Sequence, residues 1–300
     1  MSVLAIFGPT ASGKSAVAEA IAERVPAELV SADSMQVYRG LPILTNQSDT
    51  PTRLVGIWSL DHDASVGEFA SLAHEAIDEI IAAGRLPVIV GGTGLYLRAA
   101  LVELRLPPRP AEGARERWSA LYDEEGSAAA HAELASRDPA AAAAVHPNDR
   151  RRVVRALELA ESGSSLRPES DRLWGGPTRH PTAIVGLDVP TETVSRRIAE
   201  RTEAMLVAGA AAEARAALDG AISATARKVI GLEEAATLPP DEALEAIAAR
   251  TRRYAAYQRK WMRRIPDLVR VAADRPVDEV ADAVLEVARA RQLLPARGAG

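Results

Sequence analysis

The chain opens on an unbroken apolar run, Val3-Leu4-Ala5-Ile6-Phe7, which stops at Gly8-Pro9. From Ser15 to Arg24 the apolar positions Val17, Ala20 and Ile21 then recur at helical spacing, so this stretch predicts strand, loop and helix. A second run, Leu29-Val30, ends in Ser31-Ala32-Asp33, and a third, Leu86 to Val90, ends in Gly91-Gly92-Thr93-Gly94 before another helical stretch. Strands separated by helices predict a parallel sheet, and such sheets gather their ligands at the carboxyl ends of the strands. All three loops fall at that edge.

Pro107-Pro108-Arg109-Pro110 is a stiff break in the pattern. The following stretch is helical in character, rich in Ala, Arg and Glu, and runs to the Gly/Pro-rich Gly175-Gly176-Pro177. Ala183-Ile184-Val185-Gly186-Leu187 predicts a strand returning to the sheet, with helices from there to about Gln292 and a frayed end from Ala296 to Gly300. The expected fold class is therefore α/β: a phosphate-loop NTPase-like parallel sheet flanked by helices, with an inserted all-helical domain. The core is expected over residues 1–106 and 183–300 and the insertion over 107–182. No internal repeat is visible.

Composition narrows the function classes. A chain of 300 residues with 47% hydrophobic content can bury a sizeable core. No apolar run reaches the roughly 18 to 20 residues of a membrane span, and no signal peptide precedes the first strand, so a cytoplasmic protein with no membrane partner is expected. The absence of cysteine excludes disulfides, thiolate metal sites and cysteine nucleophiles, and the five histidines show no metal-ligand spacing. A net charge of −5 does not advertise a nucleic-acid binder, but it hides local patches. Arg250 to Arg264 holds seven basic residues and no acidic one, and Arg150, Arg151, Arg152 and Arg155 form a second cluster.

Gly8-Pro9-Thr10-Ala11-Ser12-Gly13-Lys14-Ser15 matches the phosphate-binding loop G-x-x-x-x-G-K-[ST] between strand and helix. Backbone N–H groups at the helix start cradle phosphate oxygens, Lys14 neutralises them, and the Ser15 hydroxyl is a candidate Mg²⁺ ligand. The same cradle accepts a nucleoside triphosphate or another diphosphate. Two features argue against a kinase: the third strand ends in Gly-Gly-Thr-Gly with no acidic residue to hold magnesium, and Asp33 begins the unusual run Asp33-Ser34-Met35-Gln36-Val37-Tyr38.

Together with Gly91-Gly92-Thr93-Gly94-Leu95-Tyr96, the loop and the Asp33 run resemble, in order and spacing, the signature blocks of tRNA dimethylallyltransferases. Arg150-Arg151-Arg152-Val153-Val154-Arg155-Ala156-Leu157-Glu158 resembles the arginine-rich helix of that family. Arg201, Met205 and Gly209 resemble its R-x-x-x-M-x-x-x-G, and Gln258 to Arg263 its Q-x-x-W-[LM]-R. The likeness covers roughly residues 3 to 264.

The resemblance implies an enzyme that transfers a dimethylallyl group from dimethylallyl diphosphate to the N6 amine of the adenosine just 3′ of the anticodon. The diphosphate would sit in Gly8 to Ser15 with Mg²⁺, Asp33 would be the base, and Thr10, Lys14 and Arg201 would stabilise the departing diphosphate. Ser34, Met35, Gln36 and Thr93 would surround a flipped adenine. Arg151, Arg152, Val153, Val154 and Arg155, with Arg115, would grip the anticodon stem-loop. A monomer is expected.

Departures from the family pattern are also visible. Arg53-Leu54-Val55-Gly56-Ile57-Trp58 lacks the usual P-H-[HR]-L, Leu41 to Gln47 replaces G-T-A-K-P, Gly231-Leu232-Glu233-Glu234 replaces G-Y-[KR]-E, and Tyr257 stands where an arginine often precedes the glutamine. Tyr254, Tyr257 and Trp261 fall on one helical face, for which core packing is the preferred reading and base stacking the alternative. The rival functions are an adenylate prenyltransferase, a small-molecule phosphate-loop kinase, and an RNA-binding module that has lost its activity.

Overall fold

The computed structural model describes residues 2–104, 111–166 and 176–291. The Pro107 to Pro110 break, Gly175, Gln292 and Ala296 to Gly300 lie outside the described residues. Met1–Glu103 with Leu173–Gly300 form one compact unit and Leu104–Arg172 a second.

In the first unit the chain forms β1 (Val3–Phe7), α1 (Lys14–Ala22), β2 (Ala27–Ser31), β3 (Thr52–Arg53), α2 (Val66–Ala82), β4 (Leu86–Gly91) and α3 (Gly94–Leu101). The second unit holds α4 (Ala114–Arg137), α5 (Pro139–Ala144) and α6 (Arg150–Glu161). The first unit then resumes with β5 (Thr182–Asp188), α7 (Thr191–Val207), α8 (Ala210–Leu218), α9 (Leu232–Thr237), α10 (Pro240–Met262), β6 (Leu268–Ala272) and α11 (Val277–Ala290).

The six strands make one sheet in the order β3-β2-β4-β1-β5-β6, every neighbouring pair parallel. Parallel strands are covered on both faces, which is why β1 is apolar at every position and buried at every position. On one face Leu4, Ile6 and Val185 pack in one cluster with Val17 and Ile21 of α1 and Val280 and Val284 of α11. Because β4 and β5 flank β1, chain connections diverge on either side of it, and a crevice opens beyond its carboxyl end. The loops after β1, β2 and β4 all border that crevice.

One expectation is corrected here. The run of helices foreseen after β5 is interrupted by β6. Its alternation, Val269 and Val271 about Arg270, lasts only five residues and carries a charge in its centre. β6 is an edge strand, paired only with β5, and Arg270 lies 3.8 Å from Asp188 across that pair. A short, charged edge is what prevents sheets from pairing with other chains, and it erases the apolar run that reveals a buried strand. The two-residue β3 was equally invisible for its shortness.

In the second unit Leu134, Ala141, Val153, Ala156 and Leu157 form a separate apolar cluster. Asp138 caps α5 by accepting from the Ala141 N–H, and Asp149 caps α6 by accepting from the Arg152 N–H. Residue Gly126 breaks the helical path of α4 with φ 88° and ψ 167°.

Candidate active site

The loop after β1 turns into α1 through Gly13, whose φ of 86° a side chain would strain. That turn places Lys14 in the first helical position, where its buried Nζ donates to the Pro9 carbonyl at 2.8 Å. Burial lowers the Lys14 pKa to about 8; the Asp33 charge opposes the shift and Arg201 adds to it. Thr10 is held from two sides. Its N–H donates to Gln258 Oε1 at 2.7 Å, and its hydroxyl accepts from Arg201 Nη2 at 2.6 Å. Arg201 stands on α7 and is largely buried, and desolvation pulls its pKa down while Asp33 raises it. Among the described residues, Ser12 Oγ and Arg201 Nε are buried without a hydrogen-bond partner. Two unmatched polar groups at one loop mark a place built to meet a polar ligand.

The loop after β2 carries Asp33, whose Oδ1 accepts from the Met35 N–H at 2.9 Å. Ser34 is fixed to the loop after β4: its N–H donates to Thr93 Oγ1 at 3.2 Å, and its hydroxyl lies at the same distance from that atom. Gln36 is used internally at both ends, accepting from Ser31 Oγ at 3.0 Å and donating to the carbonyls of Thr45 and Asn46. Tyr38 is buried and donates to Thr225 Oγ1 at 2.6 Å.

Helix α10 lies against the loop after β4 so closely that glycine is required there. A Cβ on Gly92 would stand 2.1 Å from Gln258 Nε2, and one on Gly94 2.2 Å from the Trp261 ring. Gly94→Ala is expected to cost about 1–3 kcal/mol of stability, since the ring must move off its rotamer; urea unfolding measures it. The three aromatic residues of α10 do not share one environment. Tyr254 and Trp261 are half-buried, with Tyr254 hydrogen-bonded to Thr93 at 3.0 Å, and Tyr257 is 54% exposed. Core packing therefore fails for Tyr257, which lies at the margin of the buried stripe beside exposed Arg253 and Lys260.

The phosphate loop, Asp33, Arg201, Tyr254 and Gln258 border one cavity of about 640 Å³. Thr10, Lys14, Asp33 and Arg201 supply its charged and polar wall, and Leu44, Met205, Ile230 and Ile247 an apolar one. Leu44 belongs to the segment that departs from the family pattern. It is pinned by Glu213 of α8, whose two carboxylate oxygens accept the Ile43 and Leu44 N–H groups at 2.9 and 2.8 Å. Glu213 escaped the reading of the sequence, and Gln258 was marked there only as the start of the Q-x-x-W-[LM]-R block, with no sign of its tie to Thr10. Ser15 also borders the cavity, and no cluster of three metal-binding side chains occurs among the described residues.

The second unit holds the other candidates. Arg151 and Arg152 are exposed in the first turn of α6. A helix N-terminus disfavours cations; Arg152 is offset there by Asp149 at 3.5 Å, and helix stability does not account for Arg151. Arg155 and Arg115 both donate at 2.8 Å to Glu158, one to each carboxylate oxygen, and Glu158 is 1% exposed. Val153 and Val154 are buried, so their side chains face the helical core and not solvent. The arginine-rich block was read as one strip of RNA contacts, but helical periodicity turns its middle inward.

Comparison with known proteins decides the family. The model described as IPP transferase matches residues 36–265, and the one described as isopentenyl transferase matches residues 1–53. The chain belongs to the IPP transferase family. It is 40% identical to the tRNA dimethylallyltransferase of Kineococcus radiotolerans over 88% of each chain. It is 39% identical to that of an Anaeromyxobacter species over 95% of this chain and 98% of the relative. The full-length tRNA isopentenylpyrophosphate transferase of Bacillus halodurans superposes with a TM-score of 0.69 at 31% identity, covering 97% of this chain and 98% of that one. A eukaryotic dimethylallyltransferase acting on tRNA shares the fold, with a TM-score of 0.81 at 24% identity over 99% of this chain and 81% of that one.

Proposed function

We propose that this IPP transferase moves the dimethylallyl group of dimethylallyl diphosphate to the N6 amine of the adenosine 3′-adjacent to the anticodon in tRNA. The observation that carries the reading is the single cavity with a phosphate loop, a carboxylate and an apolar wall. The diphosphate lies in the phosphate loop of Gly8 to Ser15, and the prenyl tail against Leu44, Met205, Ile230 and Ile247. The amine attacks the first prenyl carbon as the bond from that carbon to the diphosphate oxygen breaks. Asp33 takes the amine proton. Lys14, Arg201 and Thr10 hold the charge that develops on the departing oxygen.

A magnesium ion fits this site as the companion of the diphosphate. The protein offers hard oxygen donors, the Ser15 hydroxyl first, and phosphate oxygens and water complete such an ion's shell. When bound it supplies additional charge stabilisation to the leaving group. Arg151 and Arg152, with Arg115 and Arg155 braced on Glu158, contact the phosphates of the anticodon stem-loop, so the unit Leu104–Arg172 is the RNA-binding domain. No helix among the described residues is long and apolar enough to cross a membrane, in keeping with action on tRNA in the cytoplasm.

The Lys14 shift has a consequence for pH. Its charged form binds diphosphate and is depleted as pH rises through about 8, so KM for dimethylallyl diphosphate should rise above that pH. Initial rates at varied pH measure it, and in Lys14→Arg this limb should disappear.

The substrate class is tested by offering labelled dimethylallyl diphosphate with unmodified tRNA, AMP and ATP together. Label in tRNA alone is expected; label in AMP or ATP favours an adenylate prenyltransferase, and ATP turnover without transfer favours a kinase.

A further inference from the structure

The contacts around Thr93 tie it to the turn that carries Asp33. A hydroxyl has one hydrogen to donate and two lone pairs to accept with. Thr93 Oγ1 accepts the Ser34 N–H at 3.2 Å, and it lies 3.2 Å from Ser34 Oγ and 3.0 Å from the Tyr254 hydroxyl. Thr93 therefore joins that turn to the helix that bears Tyr254.

We propose that Tyr254 is a positioning residue of the transfer reaction: through Thr93 its hydroxyl holds the Asp33-Ser34 turn, while Gln258, one turn further along α10, holds the phosphate loop at Thr10. This rests on the reading of Asp33 as the base. One rigid helix thereby spans the two halves of the reaction. From Tyr254 the link runs to Thr93 and the Ser34 N–H, next to the carboxylate that takes the proton. From Gln258 it runs to the Thr10 N–H, in the loop that takes the diphosphate.

Several observations support the link. Tyr254 is half-buried, and desolvation raises its pKa well above the ordinary value, so the hydroxyl keeps its proton across the working pH range. Close packing of Gly92 on Gln258 and Gly94 on Trp261 allows α10 no slack against the loop that bears Thr93. The Asp33 carboxylate accepts from the Met35 N–H within its own turn, so its direction depends on how the neighbouring Ser34 is held. Misplacing a reacting group by about 1 Å can cost about a hundredfold in rate. Loss of one link in a chain of contacts should cost less than that.

The test uses Tyr254→Phe, which removes only the hydroxyl, with Thr93→Val, Thr93→Ser, the Tyr254→Phe/Thr93→Val double variant and Asp33→Asn, each in the full chain. Tyr254→Phe is expected to lower kcat for transfer to tRNA about tenfold, with KM for dimethylallyl diphosphate within about twofold of wild type, because the Gln258 link survives. Thr93→Val should match it, Thr93→Ser should restore the rate, and the double variant should be no worse than either single one, as expected for one chain of contacts. An unchanged kcat in Tyr254→Phe, a loss in Thr93→Ser equal to that in Thr93→Val, or additive losses in the double variant would each overturn the proposal, if Asp33→Asn has lost transfer. Full transfer by Asp33→Asn overturns the base reading and the positioning role with it.

Discussion

Asp33→Asn should lower kcat for transfer to tRNA by at least about a hundredfold, the low end of what a positioned general base contributes, or about 2.7 kcal/mol of barrier. Asparagine is the informative replacement. Its Oδ1 can still accept the Met35 N–H that Asp33 accepts at 2.9 Å, so the turn keeps its local tie while the proton acceptor is lost. The attacking amine would then carry its proton into the transition state with nothing to receive it. Quench-flow of the first turnover separates this loss from product release, and the dissociation constant for tRNA should stay within about threefold.

The second large effect belongs to Lys14. Lys14→Ala should lower kcat about 10²- to 10³-fold, the usual consequence of removing one donor at a site of developing charge. The geometry supports an effect of that size. Lys14 is half-buried at the loop, its pKa brought down to about 8 chiefly by desolvation, and a charge partly held out of water interacts strongly with the anion it faces. Single-turnover rates at saturating dimethylallyl diphosphate measure the loss apart from weaker binding.

Much of the architecture could be read from the chain because a parallel sheet writes itself plainly. Val3 to Phe7 and Leu86 to Val90 are continuous apolar runs, each ending at a loop whose residues have chemical meaning. What could not be read falls into two physical classes. Edge elements such as β6 lack that signal, because Arg270 in an edge strand is stabilising against mispairing and at the same time breaks the apolar run. Contacts between residues far apart in the chain also leave no local trace: Gln258 and Thr10 are 248 positions apart, and Glu213 reaches the turn at Ile43 and Leu44 from about 170 positions away.

The site shows the same division. Lys14, Asp33 and Arg201 were legible as chemical types in motifs, and the structure brings all three to one cavity. The direction of each side chain was not legible. Val153 and Val154 sit inside an arginine-rich block yet point into the helical core, and Gln36 and Thr93 are bonded to the protein itself. Motif membership reports which residues occur together; only geometry separates those that face the substrate from those that hold them in place.

The measurement that reaches the central claim most directly is nucleoside analysis of unmodified tRNA after incubation with this protein, Mg²⁺ and labelled dimethylallyl diphosphate. A parallel reaction uses the same tRNA with guanosine in place of the adenosine 3′ of the anticodon. The account predicts N6-(dimethylallyl)adenosine at that one position and no label in the guanosine variant. Label at another nucleotide, label that persists in the guanosine variant, or an unmodified tRNA would contradict it.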